Sequence, residues 1–214
     1  MDYLMFFTGL VLAYLIGSLS TAVWFGKIFY NIDVRQHGSG NAGATNTLRV
    51  LGNRAGIIVL LIDAFKGWAA VSLSYLMINP NWSEQEVLLF RLLLAFFVVM
   101  GHVFPVFTGF KGGKGVATLL GVAIALYPLY LILILVGVFT IIFIATRYVS
   151  LGSIAVAILL PVLGALFFSL STPLLILAIL IAIIIPVTHK KNIKRLLSGD
   201  ESKLNVKNNK RGQD

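Results

Sequence analysis

The chain has 214 residues, 58% of them hydrophobic and 12% charged, with a mean hydropathy of +0.94 and a formal net charge of +9. Soluble domains carry about 25% charged residues, so an ordinary soluble fold is excluded and the chain belongs in a membrane. The apolar runs are continuous and do not alternate, which argues against a β-barrel, and the absence of cysteine excludes disulfides and thiolate chemistry.

A crossing takes about 20 apolar residues. The first predicted span runs from Tyr3 to Phe25, interrupted at Gly17-Ser18. No basic segment precedes it and no cleavage site follows, so it reads as a retained span and not a removed signal peptide. A polar stretch, Asp33 to Arg49, comes next. The second span, Gly56 to Ile78, contains Asp63 and Lys66. An acidic turn with Trp82, Glu84 and Glu86 leads to the third span, Val87 to Phe107, and then to the glycine-rich Thr108–Gly115. Val116 to Thr146 would be roughly 46 Å long as one helix at about 1.5 Å per residue, too long for one upright crossing. Tyr127-Pro128 can break it into two halves. Leu151–Leu170 and Leu174–Val187 are the last two spans, followed by a basic tail.

If Val116–Thr146 is a hairpin, there are seven crossings. All of the 17 Lys and Arg except Lys66 and Arg91 then fall on one side, and Asp2, Glu84 and Glu86 on the other. The positive-inside rule therefore favours seven spans, the N-terminus outside and the C-terminus cytoplasmic. The expected fold is an all-α, polytopic membrane domain over residues 1–201, with a basic, disordered cytoplasmic tail over 202–214. The basic residues cluster at the ends of apolar runs without interleaved aromatics, a pattern for anionic lipid and not nucleic acid. The three histidines are scattered and the carboxylates few, so no metal site is expected.

Three polar clusters share the cytoplasmic side in this topology. In the first, Gly38 to Arg49, glycines let backbone N–H groups approach an anion, while Ser39, Asn41, Thr45, Asn46 and Arg49 add donors. The competing reading is a solvated loop in which Thr45 or Asn46 caps the next helix. The second joins Gly101-His102 to Phe110-Lys111-Gly112-Gly113-Lys114-Gly115. It has the physics of a phosphate cradle without P-loop spacing, and a positive-inside anchor accounts for its lysines but not for its glycines. The third is His189 to Glu201. Alone it reads as a basic lipid-binding helix, although His189 and Asn192 share one helical face. Asp63 and Lys66, three apart, read as an ion pair, and His102 as a packed, hydrogen-bonded residue.

Together these motifs resemble the bacterial membrane glycerol-3-phosphate acyltransferases that use acyl phosphate as donor. The resemblance rests on Asp33-x-Arg35-x-x-Gly38-Ser39-Gly40-Asn41-x-Gly43-x-Thr45-Asn46-x-x-Arg49, on Gly101-His102 with Phe110-Lys111-Gly112-Gly113-Lys114-Gly115-Val116-Ala117-Thr118, and on His189-x-x-Asn192-x-x-Arg195-Leu196-x-x-Gly199-x-Glu201. One departure is Ser20-Thr21, near where the family often has proline. The resemblance implies acyl transfer from acyl phosphate to the 1-hydroxyl of glycerol 3-phosphate, giving lysophosphatidic acid and phosphate, in phospholipid synthesis at the bacterial inner membrane. It implies that Ser39, Gly40, Asn41, Thr45, Asn46 and Arg49 bind glycerol 3-phosphate, with Ser39 orienting its hydroxyl. It further implies that His102, Lys111, Gly112, Gly113 and Lys114 hold substrate phosphate, and that His189 and Asn192 complete the catalytic set. No cofactor and no metal are implied, the expected partners are the two substrates and membrane lipids, and a monomer is expected. The His-x4-Asp motif of acyl-CoA and acyl-carrier-protein enzymes is absent: Ala42, Phe107 and Lys194 lie five residues beyond the three histidines. The alternatives are an organophosphate or phosphate transporter, disfavoured because no inverted repeat is visible, and a membrane scaffold with a lipid-binding tail.

Overall fold

A computed structural model of the chain describes residues 3–204, whose regular secondary structure is helix alone, with no strand among them. They divide into two compact units, the first ending at Val122 and the second running from Ala123.

The first unit opens with α1 (Tyr3–Ser18) and α2 (Thr21–Tyr30), bent by 45° at the Leu19-Ser20 break. The interruption expected at Gly17-Ser18 falls two residues later, Gly17 and Ser18 being the last residues of α1, and it forms without a proline. Its stabilisation comes from α4 (Asn53–Ser72): Lys66 Nζ donates to the Leu19 carbonyl at 2.9 Å, and Thr21 Oγ1 donates to Asp63 Oδ1 at 2.8 Å. Carbonyls freed where a helix breaks need partners inside a membrane, and the ion pair supplies one. Between α2 and α4 lies the short α3 (Ala44–Leu51). After α4 come α5 (Ser74–Met77) and α6 (Glu84–Val103). A capping box starts α6: Ser83 Oγ accepts from the Glu86 N–H, and Glu86 Oε2 accepts from the Ser83 N–H at 2.8 Å.

Small residues set the spacing of these helices. A Cβ added at Gly17 would land on the Val98 carbonyl, and one at Gly101 on the Tyr14 carbonyl, so α1 and α6 pack backbone to backbone. Phe90, Leu94 and Val98 on α6 are fully buried in this core. Tyr14 Oη, donating to the Phe104 carbonyl at 2.8 Å, holds the chain where it leaves α6.

From the first unit, α7 (Val116–Leu126) leads into the second, where Tyr127-Pro128 separates it from α8 (Leu129–Thr146) as expected. There α8, α9 (Val149–Phe167) and α10 (Thr172–Thr188) pack in sequence, and α10 turns by 62° into α11 (Lys190–Ser198). Gly199 in the left-handed conformation ends α11. Leu204 is buried and donates its N–H to the Arg147 carbonyl at 2.9 Å, so the packed chain reaches at least this point. The tail from 205 lies outside the described residues.

Among the described residues four helices are long and apolar enough to cross a membrane, or six if each bent pair counts as one span; α7 is shorter, at 11 residues. An all-helical membrane protein is thus established.

Candidate active site

The first cluster is not a plain loop. Asp33 accepts from its neighbour Arg35 through both carboxylate oxygens, Oδ1 from Nε at 3.0 Å and Oδ2 from Nη2 at 2.8 Å. These bonds, with Lys27 3.5 Å away, hold the Asp33 carboxyl well below the usual carboxylate range despite partial burial. The second guanidinium nitrogen of Arg35 donates to the Thr108 carbonyl at 2.8 Å, tying this turn to the start of the second cluster.

Gly38 to Gly40 are exposed, with Gly38 at φ +60° and Gly40 at φ +72°, the region that glycine enters without penalty. The segment is organised from beneath by Asn46, which is 1% exposed. Its Oδ1 accepts from the Ser39 N–H at 2.8 Å and from Ser39 Oγ at 3.1 Å. Its Nδ2 donates to the Val34 carbonyl at 2.7 Å and the His37 carbonyl at 3.1 Å. Neither Thr45 nor Asn46 caps a helix. Gly43 is the N-cap of α3, Thr45 and Asn46 lie in its first turn, and Arg49 lies in its last. The predicted loop is therefore half helix, and Asn46 braces it from inside.

The second cluster packs against the first. Gly112 and Gly113 donate their N–H groups to the Val103 and His102 carbonyls, both at 3.2 Å. A Cβ at Gly113 would strike the His102 imidazole and come within 2.8 Å of the Ala42 carbonyl. Glycine at 113 thus lets the Lys111–Lys114 segment approach Ala42. Lys111 is exposed and Lys114 half-buried, while His102 is buried behind the loop with Nδ1 3.8 Å from Asp63 Oδ1. Asp63 and Lys66 form the expected pair at 2.7 Å.

In the second unit His189 and Asn192 are both buried, His189 at the bend between α10 and α11 and Asn192 in the first turn of α11. His189 Nδ1 lies 2.8 Å from the Ile185 carbonyl, which can only accept, so Nδ1 carries a hydrogen. Asn192 Nδ2 donates to Glu201 Oε1 at 2.6 Å. The same oxygen accepts from Ser150 Oγ at 2.7 Å, and Oε2 accepts from Arg195 Nε at 2.8 Å. Burial pushes the Glu201 carboxyl up, but the hydrogen bonds from Ser150, Asn192 and Arg195 outweigh it and hold the group below the usual range. With Nδ2 committed to Glu201, the amide plane of Asn192 is fixed.

Sequence reasoning gave Glu201 no role and missed Ser150. A serine at the start of an apolar helix carries no local signal of a partner 51 residues away. No group of three or more potential metal ligands occurs among the described residues.

The model of the glycerol-3-phosphate acyltransferase family matches residues 7–199. A Staphylococcus carnosus protein named glycerol-3-phosphate acyltransferase is 42% identical over 91% of this chain and 96% of its own length. One of the same name from Thermoanaerobacter is 44% identical over 92% and 94%. Among solved structures, PlsY, described as an integral membrane glycerol 3-phosphate acyltransferase, matches in its glycerol 3-phosphate form with a TM-score of 0.83 and 35% identity, covering 94% of this chain and 96% of that one. Its lysophosphatidic acid form matches at 0.81 and 34%. With motifs, helical architecture and whole-length similarity in agreement, this chain belongs to the glycerol-3-phosphate acyltransferase family.

Proposed function

We propose that this chain transfers a fatty acyl group from acyl phosphate to the 1-hydroxyl of sn-glycerol 3-phosphate, producing lysophosphatidic acid and inorganic phosphate. The observation that carries the reading is the Ser39 segment, braced by Asn46 and abutted through Ala42 by Gly113. Two glycine-rich segments bearing Arg49, Lys111 and Lys114 suit a reaction in which both substrates carry phosphate. The relatives' names support the acceptor, and the missing His-x4-Asp motif supports acyl phosphate as donor.

In this mechanism Ser39, Gly40, Asn41, Thr45, Asn46 and Arg49 form the glycerol 3-phosphate subsite, Ser39 orienting the hydroxyl and Asn46 acting from below. Lys111, Gly112, Gly113 and Lys114 neutralise phosphate, with His102 supporting their backbone. The hydroxyl oxygen attacks the acyl carbon, the bond from that carbon to the bridging phosphate oxygen breaks, and phosphate leaves with the electron pair. His189 takes the hydroxyl proton, and Asn192, oriented by Glu201, completes the catalytic set. Acyl phosphate is a mixed anhydride with a good leaving group, so positioning and charge neutralisation supply most of the acceleration. No covalent acyl-enzyme is formed. The protein acts as a monomer of seven crossings in the bacterial plasma membrane, with its N-terminus outside and the clusters on the cytoplasmic face, the arrangement the distribution of Lys and Arg supports.

The test supplies purified protein with labelled glycerol 3-phosphate and either palmitoyl phosphate or palmitoyl-CoA. Lysophosphatidic acid is expected from palmitoyl phosphate alone, and product from palmitoyl-CoA would overturn the donor assignment. Replacing His189 by Ala should slow turnover sharply; an unchanged rate would move the proton to the donor phosphate.

A further inference from the structure

Asp63 and Lys66 are 2% and 4% exposed within α4. A buried ion pair contributes little net stability, since desolvation offsets most of its attraction and an apolar pair of similar size often serves as well or better. What this pair touches is therefore informative. Asp63 Oδ1 receives Thr21 Oγ1 at 2.8 Å and Lys66 Nζ at 2.7 Å, and faces His102 Nδ1 at 3.8 Å. Lys66 Nζ also holds the Leu19 carbonyl at the α1–α2 break.

Two routes lead from this pair to the phosphate-binding segments. One runs through His102, whose ring backs Gly113 and whose carbonyl accepts the Gly113 N–H, so any shift of the imidazole moves Gly113 against Ala42. The other runs through the break: Ser20 Oγ and Thr108 Oγ1 share a hydrogen bond at 2.8 Å, and the Thr108 carbonyl accepts from Arg35, which braces Asp33. The first route ends where the Gly112–Lys114 and Gly38–Arg49 segments meet, and the second at the Asp33–Arg35 turn and Thr108, the residues that lead into each segment.

We propose that Asp63, with Lys66 as its counter-ion, is a positioning residue that sets the spacing between these two segments through His102 and through the Leu19–Thr21 break. Asp63 touches neither substrate. Its carboxylate fixes two elements that would otherwise move independently, and an apolar pair could fill the space without fixing either. The proposal rests on the assignment of these segments to phosphate binding.

The deciding variant replaces both charges at once, Asp63→Leu with Lys66→Met, so that no unpaired charge remains buried. Its melting temperature should stay close to the parent's, lowered at most by the lost bonds to the Leu19 carbonyl and Thr21 Oγ1, because no unpaired charge is left behind. Glycerol 3-phosphate affinity, measured by titration calorimetry, should nevertheless fall by about tenfold or more, and KM should rise more than kcat falls, because loosened spacing acts first on ground-state binding. A variant that melts like the parent and binds within about twofold of it would overturn the proposal. Should the double variant not accumulate, Thr21→Val decides: it is isosteric, removes one donor to Asp63 and keeps the ion pair. About a threefold loss of affinity is expected from it, and unchanged affinity overturns the proposal. Because the readout is binding, failure of the donor assignment is seen separately, as parent protein that binds glycerol 3-phosphate but does not turn over palmitoyl phosphate.

Discussion

Removing the Asn46 amide tests the site most directly, because that one group organises the Ser39 segment. It makes four hydrogen bonds, two accepted from Ser39 and two donated to the Val34 and His37 carbonyls. The bond to Val34 lies in buried surroundings, so Asn46→Ala leaves that carbonyl unsatisfied at about 1–3 kcal/mol. The other three border solvent, where water takes over much of their role and each loss amounts to about 0.5 kcal/mol or less. The segment should therefore lose about 1–4.5 kcal/mol of order. Since about 1.4 kcal/mol corresponds to tenfold in Kd, glycerol 3-phosphate binding should weaken by at least about fivefold. The assay pairs titration calorimetry with thermal melting of the purified protein. Asn46→Asp is the control: it keeps an acceptor for Ser39 but turns an oxygen toward two carbonyls, and should bind no better than the alanine variant. Binding within twofold of the parent in either variant would refute the bracing role.

Other substitutions probe the remaining contacts. In Gly113→Ala the new Cβ meets the His102 ring and the Ala42 carbonyl, so the phosphate segment must shift; KM should rise about tenfold or more, and wild-type kinetics would count against the close approach. Glu201→Gln keeps the shape but weakens the bonds from Ser150, Asn192 and Arg195, and should lower kcat more than it raises KM. Acidification should destabilise the fold. Asp33 and Glu201 ionise below their ordinary values of 3.8 and 4.5, so the unfolded chain binds more protons in mildly acidic solution. Their stabilisation is complete above about pH 5 and is lost as pH falls through the folded values. Melting temperatures measured between pH 6 and pH 3 should drop, less steeply for Glu201→Gln; an identical slope in that variant would contradict the assignment.

The class of fold was legible in composition, because backbone buried in lipid must satisfy its own hydrogen bonds and continuous apolar runs leave only helices. Local breakers were legible too: Tyr127-Pro128 parts α7 from α8, and the chain breaks beside Gly17-Ser18. So was the Asp63–Lys66 pair, since it follows from helical periodicity within a few residues. Tertiary structure decided the rest. Gly38–Arg49 read as a loop, yet its second half is α3, and Asn46 turns inward to accept from Ser39 rather than outward to cap a helix. The contact of Gly113 with Ala42, the bond of Ser150 to Glu201 and the approach of His102 to Asp63 join residues far apart in the chain. Sequence periodicity fixes which face of a helix a residue occupies. The partner that meets that face depends on how closely neighbouring helices pack, here set by glycines such as Gly17 and Gly101 that let backbones touch.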